Sequence, residues 1–485
     1  MTVEEFKRMI EEGIPQEYLP PPKKRNPDLD HAPDRPLRLS KEEIALALKN
    51  ALRYIPPQFH EVMAVELARE LKNYGHIYMY RYMPEYDIYG RPISWYPAKN
   101  IACAAIMQMI MNNLDRRVAQ FPEELITYGS NGSVFQNWAQ YRLTLKYLSR
   151  ISEEETLLIY SGHPLGVFPS QRNAPRVVVS NGVVVPKYCT WEDWERGYAL
   201  GTTQYGQMTA GSYMYIGPQG IVHGTTITVL NAGRLSKIWS ETEGLRGKVF
   251  VSSGLGGMSG AQAKAATITG CVGIIAEINP HALMKRYEQG WLNEYYTSID
   301  RVLQRAEECK RQKKPVSIGY SGNVVDLWEE IVKRDFEVHL ASDQTSLHNP
   351  YGGGYYPRGL TLEESRKMIR ENPERFKEYV HASLREQVEY INEVCHRGAY
   401  FWDYGNSFLY MAGIAGANIF THDGKYRYPS YVEDIMGPLC FDWGFGPFRW
   451  VCSSASLDDL KKTDEIALKV LKDMIKEAPQ GIKQQ

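Results

Sequence analysis

A glycine-rich turn between two apolar runs carries the residues best suited to chemistry in this chain. The first run, Val249–Val251, leads into an alanine-rich stretch through a turn made of Gly254, Gly256, Gly257, Met258 and Gly260. The second apolar run, 272–275, ends at Glu277. This order predicts strand, turn, helix and strand, with an acid about 20 residues past the glycines, which is the layout of a dinucleotide site. Backbone N–H groups and the helix N-terminus would face a pyrophosphate, and the acid would accept ribose hydroxyls. An ordinary glycine-rich βα turn is the alternative.

The elements that must position this turn follow an α/β rhythm. Short apolar runs at 157–160 and 177–180 precede a strand-and-helix pattern that recurs over residues 246–345, with further runs at 316–319 and 338–341. Such alternation predicts a mostly parallel sheet. Helices are predicted over 58–74, 101–113 and 458–478, and after Ser40, whose spacing to Glu43 forms a capping box.

Composition limits the class of protein. The 485 residues suffice for two or three domains, and 43% apolar with 23% charged residues is an ordinary globular balance. A net charge of −1 gives no indication of a nucleic-acid partner. Seven widely spaced cysteines without a CxxC pair favour reduced thiols, and no metal site is predicted. With no signal peptide and no apolar run long enough to span a membrane, we expect a cytoplasmic protein without membrane contact.

Polar, glycine-containing strings stand where loops should be. Loops at strand ends are where α/β enzymes keep their chemistry, so these strings suggest a site built from several segments. Each also has a structural interpretation, such as a turn cap, a hydrogen-bonded histidine or an N-cap. The strings are Ser161-Gly-His-Pro-Leu-Gly166, Tyr205-Gly-Gln-Met-Thr-Ala-Gly211, Ser342-Asp-Gln-Thr-Ser346, Asp403-Tyr-Gly-Asn406 and Gly446-Pro-Phe-Arg-Trp450.

Taken together, these strings resemble the urocanase family, in its longer-chain branch. The resemblance runs in order from about residue 30 to about residue 465 and includes Glu124-Leu-Ile-Thr-Tyr-Gly129, Tyr215-Ile-Gly-Pro-Gln-Gly-Ile-Val222, Gly254-Leu-Gly-Gly-Met-Ser-Gly-Ala-Gln262 and Lys462-Thr-Asp464. It implies a hydro-lyase that adds water to urocanate, an imidazole acrylate, in histidine catabolism and yields an imidazolone propanoate. It also implies tightly bound NAD⁺ that acts as an electrophile without net redox change, and a homodimer.

The resemblance implies an architecture and site residues. We expect an extended arm at 1–39, a core from 40–235 and 350–485, and an inserted Rossmann-like NAD⁺-binding domain at 236–349. The glycine turn and Glu277 match the cofactor site, together with Asn323, Asp343, Gln344 and Thr345. Tyr128 matches a catalytic position, and Gln207 and Thr209 match substrate-binding positions.

Three further residues are nominated by type and neighbourhood. Arg449 is our candidate for gripping the substrate carboxylate, with Arg385 as the alternative, because a guanidinium binds a carboxylate bidentately. Asp442 stands where the shorter-branch family carries an active-site cysteine. It would serve as an acid or base if burial raised its pKa, and it is a surface carboxylate otherwise.

Family members continue well past the Lys462-Thr-Asp464 string, whereas this sequence ends about 20 residues after it. This difference leaves several expectations open. A second chain supplies the segment, the arm of another subunit fills its place, or the pocket is different and takes a ring-modified urocanate such as thiourocanate or an N-methyl urocanate. A non-catalytic or split-enzyme subunit and a conventional NAD-dependent dehydrogenase are the alternative functions.

Overall fold

The structure, a computed structural model, describes residues 1–180, 188, 190–205, 219–446 and 449–483. The chain divides into two compact units. Unit 1 comprises Met1–Gly217 and Val451–Asp464, and unit 2 comprises Pro218–Trp450 and Glu465–Gln485.

Unit 1 is mainly helical, with two small sheets. Its helices are α1 Val3–Glu12, α2 Lys41–Leu52, α3 His60–Tyr74, α4 Ile101–Asn113, α5 Trp138–Arg150 and α6 Trp191–Ala199. Its strands are β1 Ile126–Tyr128, β2 Gly132–Ser133, β3 Glu155–Tyr160, β4 His163–Pro169 and β5 Val177–Ser180. Strand β1 pairs antiparallel with β2, and β3 lies between β4, its antiparallel partner, and β5, its parallel partner.

Local sequence signals explain several of these elements. The Ser40 hydroxyl accepts the Glu43 N–H at 3.2 Å while the Glu43 carboxylate accepts the Ser40 N–H, so the predicted capping box of α2 is confirmed. Helix α4 has the predicted bounds, whereas α3 begins two residues later than predicted, at His60, because a 3₁₀ turn occupies Pro57–Phe59. Residues 13–39, all of them described, contain neither helix nor strand.

Unit 2 is built around a six-stranded sheet. Its strands are β6 Val249–Ser253, β7 Val272–Glu277, β8 Glu294–Tyr296, β9 Val316–Ser321, β10 Leu340–Asp343 and β11 Tyr400–Asp403. Its helices are α7 Gln219–Leu235, α8 Ala261–Thr269, α9 Pro280–Glu288, α10 Ile299–Arg311, α11 Val324–Lys333, α12 Leu362–Glu371, α13 Pro373–His396 and α14 Phe408–Ile414. Near the end of the chain lie α15 Leu457–Glu477, whose residues up to Asp464 belong to unit 1, and α16 Gln480–Lys483.

All neighbouring strands of the large sheet are parallel, in the order β11-β10-β6-β7-β9-β8. Val251 and Ile274 belong to one apolar cluster, and Phe250 and Ile275 to another. Both faces of the sheet are therefore buried, as expected when crossover helices cover a parallel sheet. The predicted α/β class with a parallel sheet is confirmed.

The chain leaves β6 in one direction, through β7 to β9, and then returns to place β10 on the other side of β6. This reversal is a topological switch point, where a crevice forms outside the carboxyl ends of the two strands. Strand β10 begins two residues later than the predicted run and includes the buried polar Asp343, which an apolar pattern does not reveal. Strand β11 lies past residue 349, so the sheet extends beyond the segment expected to form the Rossmann-like domain.

Candidate functional site

The carboxyl end of the six-stranded sheet gathers most of the segments singled out from the sequence. The glycine turn follows β6, Glu277 ends β7, Asn323 follows β9, Asp343–Thr345 ends β10, and Asp403–Asn406 ends β11. Because neighbouring strands are parallel, these five segments share one edge of the sheet.

The glycine turn has the conformation that its residues require. Gly254 has φ +94°, and a Cβ at this position would lie 2.8 Å from the Ser259 Oγ and 3.2 Å from the Gln344 carbonyl oxygen. The Gly256 N–H donates to the Ser259 Oγ at 2.8 Å. Only glycine combines this backbone conformation with such close contacts.

Glu277 reaches the turn from the end of β7. Its Oε2 accepts the Leu255 N–H at 2.6 Å, and its Oε1 accepts the Asn279 N–H at 2.8 Å. The strand, turn, helix and strand that the sequence predicts are therefore present, with the acid beside the first residues of the turn. These contacts hold the carboxylate against the backbone of the turn.

The buried Asp343 carboxylate connects several segments at the carboxyl end of the sheet through hydrogen bonds. Its Oδ2 accepts the Ser253 hydroxyl at 2.5 Å and the Gln387 amide at 2.8 Å, and its Oδ1 accepts the Thr345 N–H at 2.9 Å and the Thr345 hydroxyl. Burial raises the pKa of the Asp343 carboxyl, and the four donors act against this rise. These contacts join β6, β10 and helix α13.

Gln344, the next residue, has a buried amide with spare capacity. Its backbone carbonyl accepts the Asn406 side-chain amide at 2.9 Å, and its own Nε2 is buried near the Tyr404 hydroxyl without a close hydrogen bond. The Gln262 Nε2 donates to the carbonyls of Ser253 and Gly254, whereas its Oε1 likewise has no partner. A buried donor and a buried acceptor without close partners at a switch point fit a polar ligand.

Two of the predicted cofactor residues have their side chains engaged within the protein. The Asn323 Oδ1 caps helix α11 by accepting the Val325 N–H at 2.9 Å, and its Nδ2 donates to the Tyr356 carbonyl at 3.0 Å. The Thr345 hydroxyl donates to Asp343. These contacts fix the loops that line the sheet edge.

The residues expected to bind the substrate carboxylate, and the one expected to act as an acid or base, lie in different environments of unit 2. Arg449 packs against Gly220, where an added Cβ would lie 2.2 Å from its Nε, and that Nε is buried without a partner. The Arg385 guanidinium donates to the Ala415 carbonyl at 2.8 Å, at the end of helix α14. Asp442 is exposed on a short 3₁₀ turn, without the burial on which its acid–base role depends.

Tyr128 belongs to unit 1, where it is buried at the end of β1. Tyr205, which lies close enough to Tyr128 to interact with it electrostatically, accepts the Ser133 N–H at its carbonyl at 3.0 Å, and burial raises the pKa of the Tyr205 hydroxyl. Gln207 and Thr209 lie outside the described residues.

A second polar cluster in unit 1 surrounds His163, from the Ser161–Gly166 string. The His163 Nδ1 lies 3.0 Å from the Gln140 amide nitrogen and 2.7 Å from an Arg53 guanidinium nitrogen and contacts the Tyr54 hydroxyl, and its Nε2 lies 3.0 Å from the Gly201 carbonyl oxygen and 3.0 Å from the same Arg53 nitrogen. The imidazole is thus surrounded by one guanidinium and several neutral polar groups. Burial and the Arg53 charge lower the pKa of His163 to about 4.

Several residues of the sheet edge were not found by sequence reasoning. Gln387 lies in the middle of a long helix, where nothing in the local pattern marks it as the partner of Asp343. Tyr404, whose hydroxyl donates to the Thr225 hydroxyl at 2.8 Å, lies within a string that the sequence indicates only as a loop. Arg286 donates to the backbone of the glycine turn, but the sequence shows it only as one basic residue in a charged helix.

The parallel sheet, its switch point and the glycine turn define unit 2 as a Rossmann-like domain suited to a dinucleotide. Comparison with known families agrees. The urocanase N-terminal domain matches residues 88–214, the urocanase Rossmann-like domain residues 217–435, and the urocanase C-terminal domain residues 438–483. The chain belongs to the urocanase family, and the resemblance drawn from its motifs is confirmed.

Curated relatives from distant organisms support the same assignment. The chain is 54% identical to urocanate hydratase of Mus musculus over 471 residues, which are 96% of this chain and 69% of the relative. Urocanate hydratase of Homo sapiens gives the same values. A probable urocanate hydratase of Dictyostelium discoideum is 54% identical over 487 residues, 98% of this chain and 71% of the relative. Over the described part of the chain, we find no helix that is both long and apolar enough to cross a membrane.

Proposed function

We propose that this chain is a hydro-lyase that adds water to urocanate. The observation that carries the proposal is the glycine turn with Glu277 at the switch point of a parallel sheet, in a chain that is 54% identical to urocanate hydratases. A hydratase of this type requires a cofactor site and a site for a small anionic substrate.

NAD⁺ is the cofactor that we assign to the switch point. Gly254 allows the turn to pass close to the Gln344 backbone, the turn precedes the N-terminus of α8, and the Gln344 and Gln262 amides hold unpartnered polar atoms. The glycine turn would hold the pyrophosphate, and Glu277 would accept ribose hydroxyls. When bound, NAD⁺ supplies an electrophilic nicotinamide ring to the reaction.

The remaining assignments concern the substrate and follow from residue chemistry. Tyr128, buried beside Tyr205, would donate a hydrogen bond or a proton to the substrate, and Gln207 and Thr209 would hydrogen-bond it. Arg449 would hold the carboxylate, since its buried Nε has no partner within the protein. Arg385, by contrast, already donates to a helix end, which favours Arg449 of the two.

Loss of the ultraviolet absorbance of urocanate tests the proposal, using the purified chain alone. We expect turnover of urocanate without formation of reduced nicotinamide, and with NAD⁺ retained through gel filtration. Thiourocanate and N-methyl urocanates, assayed in parallel, identify the preferred ring. Absence of turnover with every substrate, together with retained NAD⁺, would instead support a non-catalytic or split-enzyme subunit.

The homodimer and a second chain that completes the site stay predictions. Light scattering after gel filtration tests the first. Addition of a urocanate hydratase fragment that follows the Lys462-Thr-Asp464 string, with turnover as the readout, tests the second.

A further inference from the structure

An arginine from the neighbouring helix lies directly beneath the glycine turn. Arg286, on helix α9, is only 5% exposed, and its Nε donates to the carbonyl oxygens of Leu255 at 3.1 Å and Gly256 at 3.2 Å. One side-chain N–H is thus shared between two consecutive peptide groups of the turn.

This contact helps to set which way the peptides of the turn face, together with the Gly260 N–H, which donates to the Gly256 carbonyl at 3.1 Å. In a planar trans peptide, the carbonyl of one residue and the N–H of the next point in opposite directions, and the described residues contain no cis peptide. With the Leu255 and Gly256 carbonyls directed at Arg286, the N–H groups of Gly256 and Gly257 are directed away from it, and the Gly256 N–H meets the Ser259 Oγ at 2.8 Å. Backbone N–H groups are the donors that such a turn offers to a pyrophosphate.

The arginine itself is held in place by its surroundings. Its guanidinium contacts the Gln289 side-chain oxygen and lies 5.1 Å from the centre of the Trp291 ring. A Cβ on Gly260 would lie 2.4 Å from the Arg286 Nε and 2.9 Å from the Gly256 carbonyl oxygen. Gly260 is therefore needed to admit the arginine, a requirement separate from the turn conformation of Gly254.

We propose that Arg286 is a positioning residue for the cofactor: it orients the peptides of the glycine turn and thereby sets how tightly the dinucleotide pyrophosphate is held. The inference rests on the proposed function, because it assumes that NAD⁺ occupies this turn. The proposed effect on the turn depends on the hydrogen bonds that Nε donates and not on the charge of the guanidinium.

Three substitutions separate these two contributions. Arg286→Met places a carbon where Nε lies and removes the donor. Arg286→Gln places an amide nitrogen the same number of bonds from the backbone, and so keeps a donor without the charge. Arg286→Lys keeps the charge but has a carbon at the Nε position. Arg334→Met, which removes a surface arginine paired with Glu330 and Asp300, is the matched control.

The measurement is the rate at which bound NAD⁺ exchanges with labelled NAD⁺ in the purified protein. Loss of a hydrogen bond to the turn should speed exchange about tenfold in Arg286→Met and Arg286→Lys. Arg286→Gln should exchange within about threefold of the unsubstituted protein, since its donor persists. Arg334→Met should exchange at the unsubstituted rate.

Each result decides between the possibilities. Fast exchange in Arg286→Gln with slow exchange in Arg286→Lys would overturn the inference in favour of charge, and unchanged exchange in Arg286→Met would overturn it outright. If Arg286→Met does not fold, the comparison of the Gln and Lys variants decides alone. Failure of the unsubstituted protein to retain NAD⁺ would overturn the proposed function, and this inference with it.

Discussion

The Gly254 backbone and the Gln344 carbonyl approach so closely that a methyl group on Gly254 would lie 3.2 Å from that oxygen. Gly254 directly follows β6 and Gln344 directly follows β10, and these two strands flank the switch point. Any side chain at residue 254 would therefore displace Ser259 or the Gln344 backbone, beside the crevice where we place the cofactor.

Gly254→Ala should abolish NAD⁺ retention, because the added methyl group meets Ser259 and Gln344. Gly359→Ala is the matched control, since Gly359 has φ +84° but no heavy atom within 4 Å of an added Cβ. Both variants carry a backbone penalty of roughly 1–2 kcal/mol. NAD⁺ content after gel filtration distinguishes them, and equal retention in the two variants would contradict the site assignment.

Gln344→Leu should weaken NAD⁺ binding without lowering the free energy of unfolding of the NAD⁺-free protein. The Nε2 of Gln344 has no close hydrogen bond in the protein, so an apolar replacement removes a buried polar group that folding leaves unsatisfied. Isothermal titration with NAD⁺ and urea unfolding measure the two effects. A stability loss without a change in affinity would indicate a purely structural role.

Gln387→Met should destabilise unit 2 by about 1–3 kcal/mol, because the buried Asp343 carboxylate loses one of its donors. The pKa of Asp343, which burial already raises, should rise further. Urea unfolding measures the loss, with Gln312→Met, at an exposed position of the same unit, as the control. Equal stability of the two variants would argue against a role for Gln387 at the sheet edge.

His163 should make unit 1 less stable in mild acid. Its folded-state pKa of about 4 lies below the ordinary 6.5, so the unfolded chain takes up a proton that the folded chain does not. Its contribution is complete above pH 6.5 and is lost as the pH falls from 6.5 to about 4. Urea unfolding across this window should be less pH-dependent in His163→Gln than in His422→Gln, which replaces an exposed histidine. Parallel pH profiles would show that His163 titrates normally.

Periodicity and glycine spacing predicted the parts of the fold that depend on local sequence. The capping box at Ser40, helix α4 and the β6–α8–β7 unit follow from contacts within a few residues, and all are present. The motifs also placed Glu277 beside the turn, because the distance from the glycines to the end of the next strand is set by one helix.

Long-range contacts could not be predicted in this way. Arg286 meets the turn from a helix 30 residues away, and Gln387 meets Asp343 from 44 residues away. Nothing in either local pattern specifies these partners. Strand β10 was placed two residues early because its polar end, Asp343, is stabilised by side chains from other segments and not by an apolar sequence.

The outer strands of the large sheet also bear on how the protein behaves when crowded. Strand β8 has only three residues and carries Glu294, which pairs with Arg305 at 2.9 Å. Strand β11 is the outer strand on the opposite side. The Asp403 N–H donates to the Pro429 carbonyl at 2.9 Å, and Ser430 forms an isolated parallel β-bridge with Asp403. The segment around Pro429 therefore covers part of the open side of β11. Short, charged or covered edges offer little template for strand addition from another molecule. The two outer strands of the sheet are therefore protected against aggregation, in the same fold that presents the carboxyl ends of its strands to a ligand.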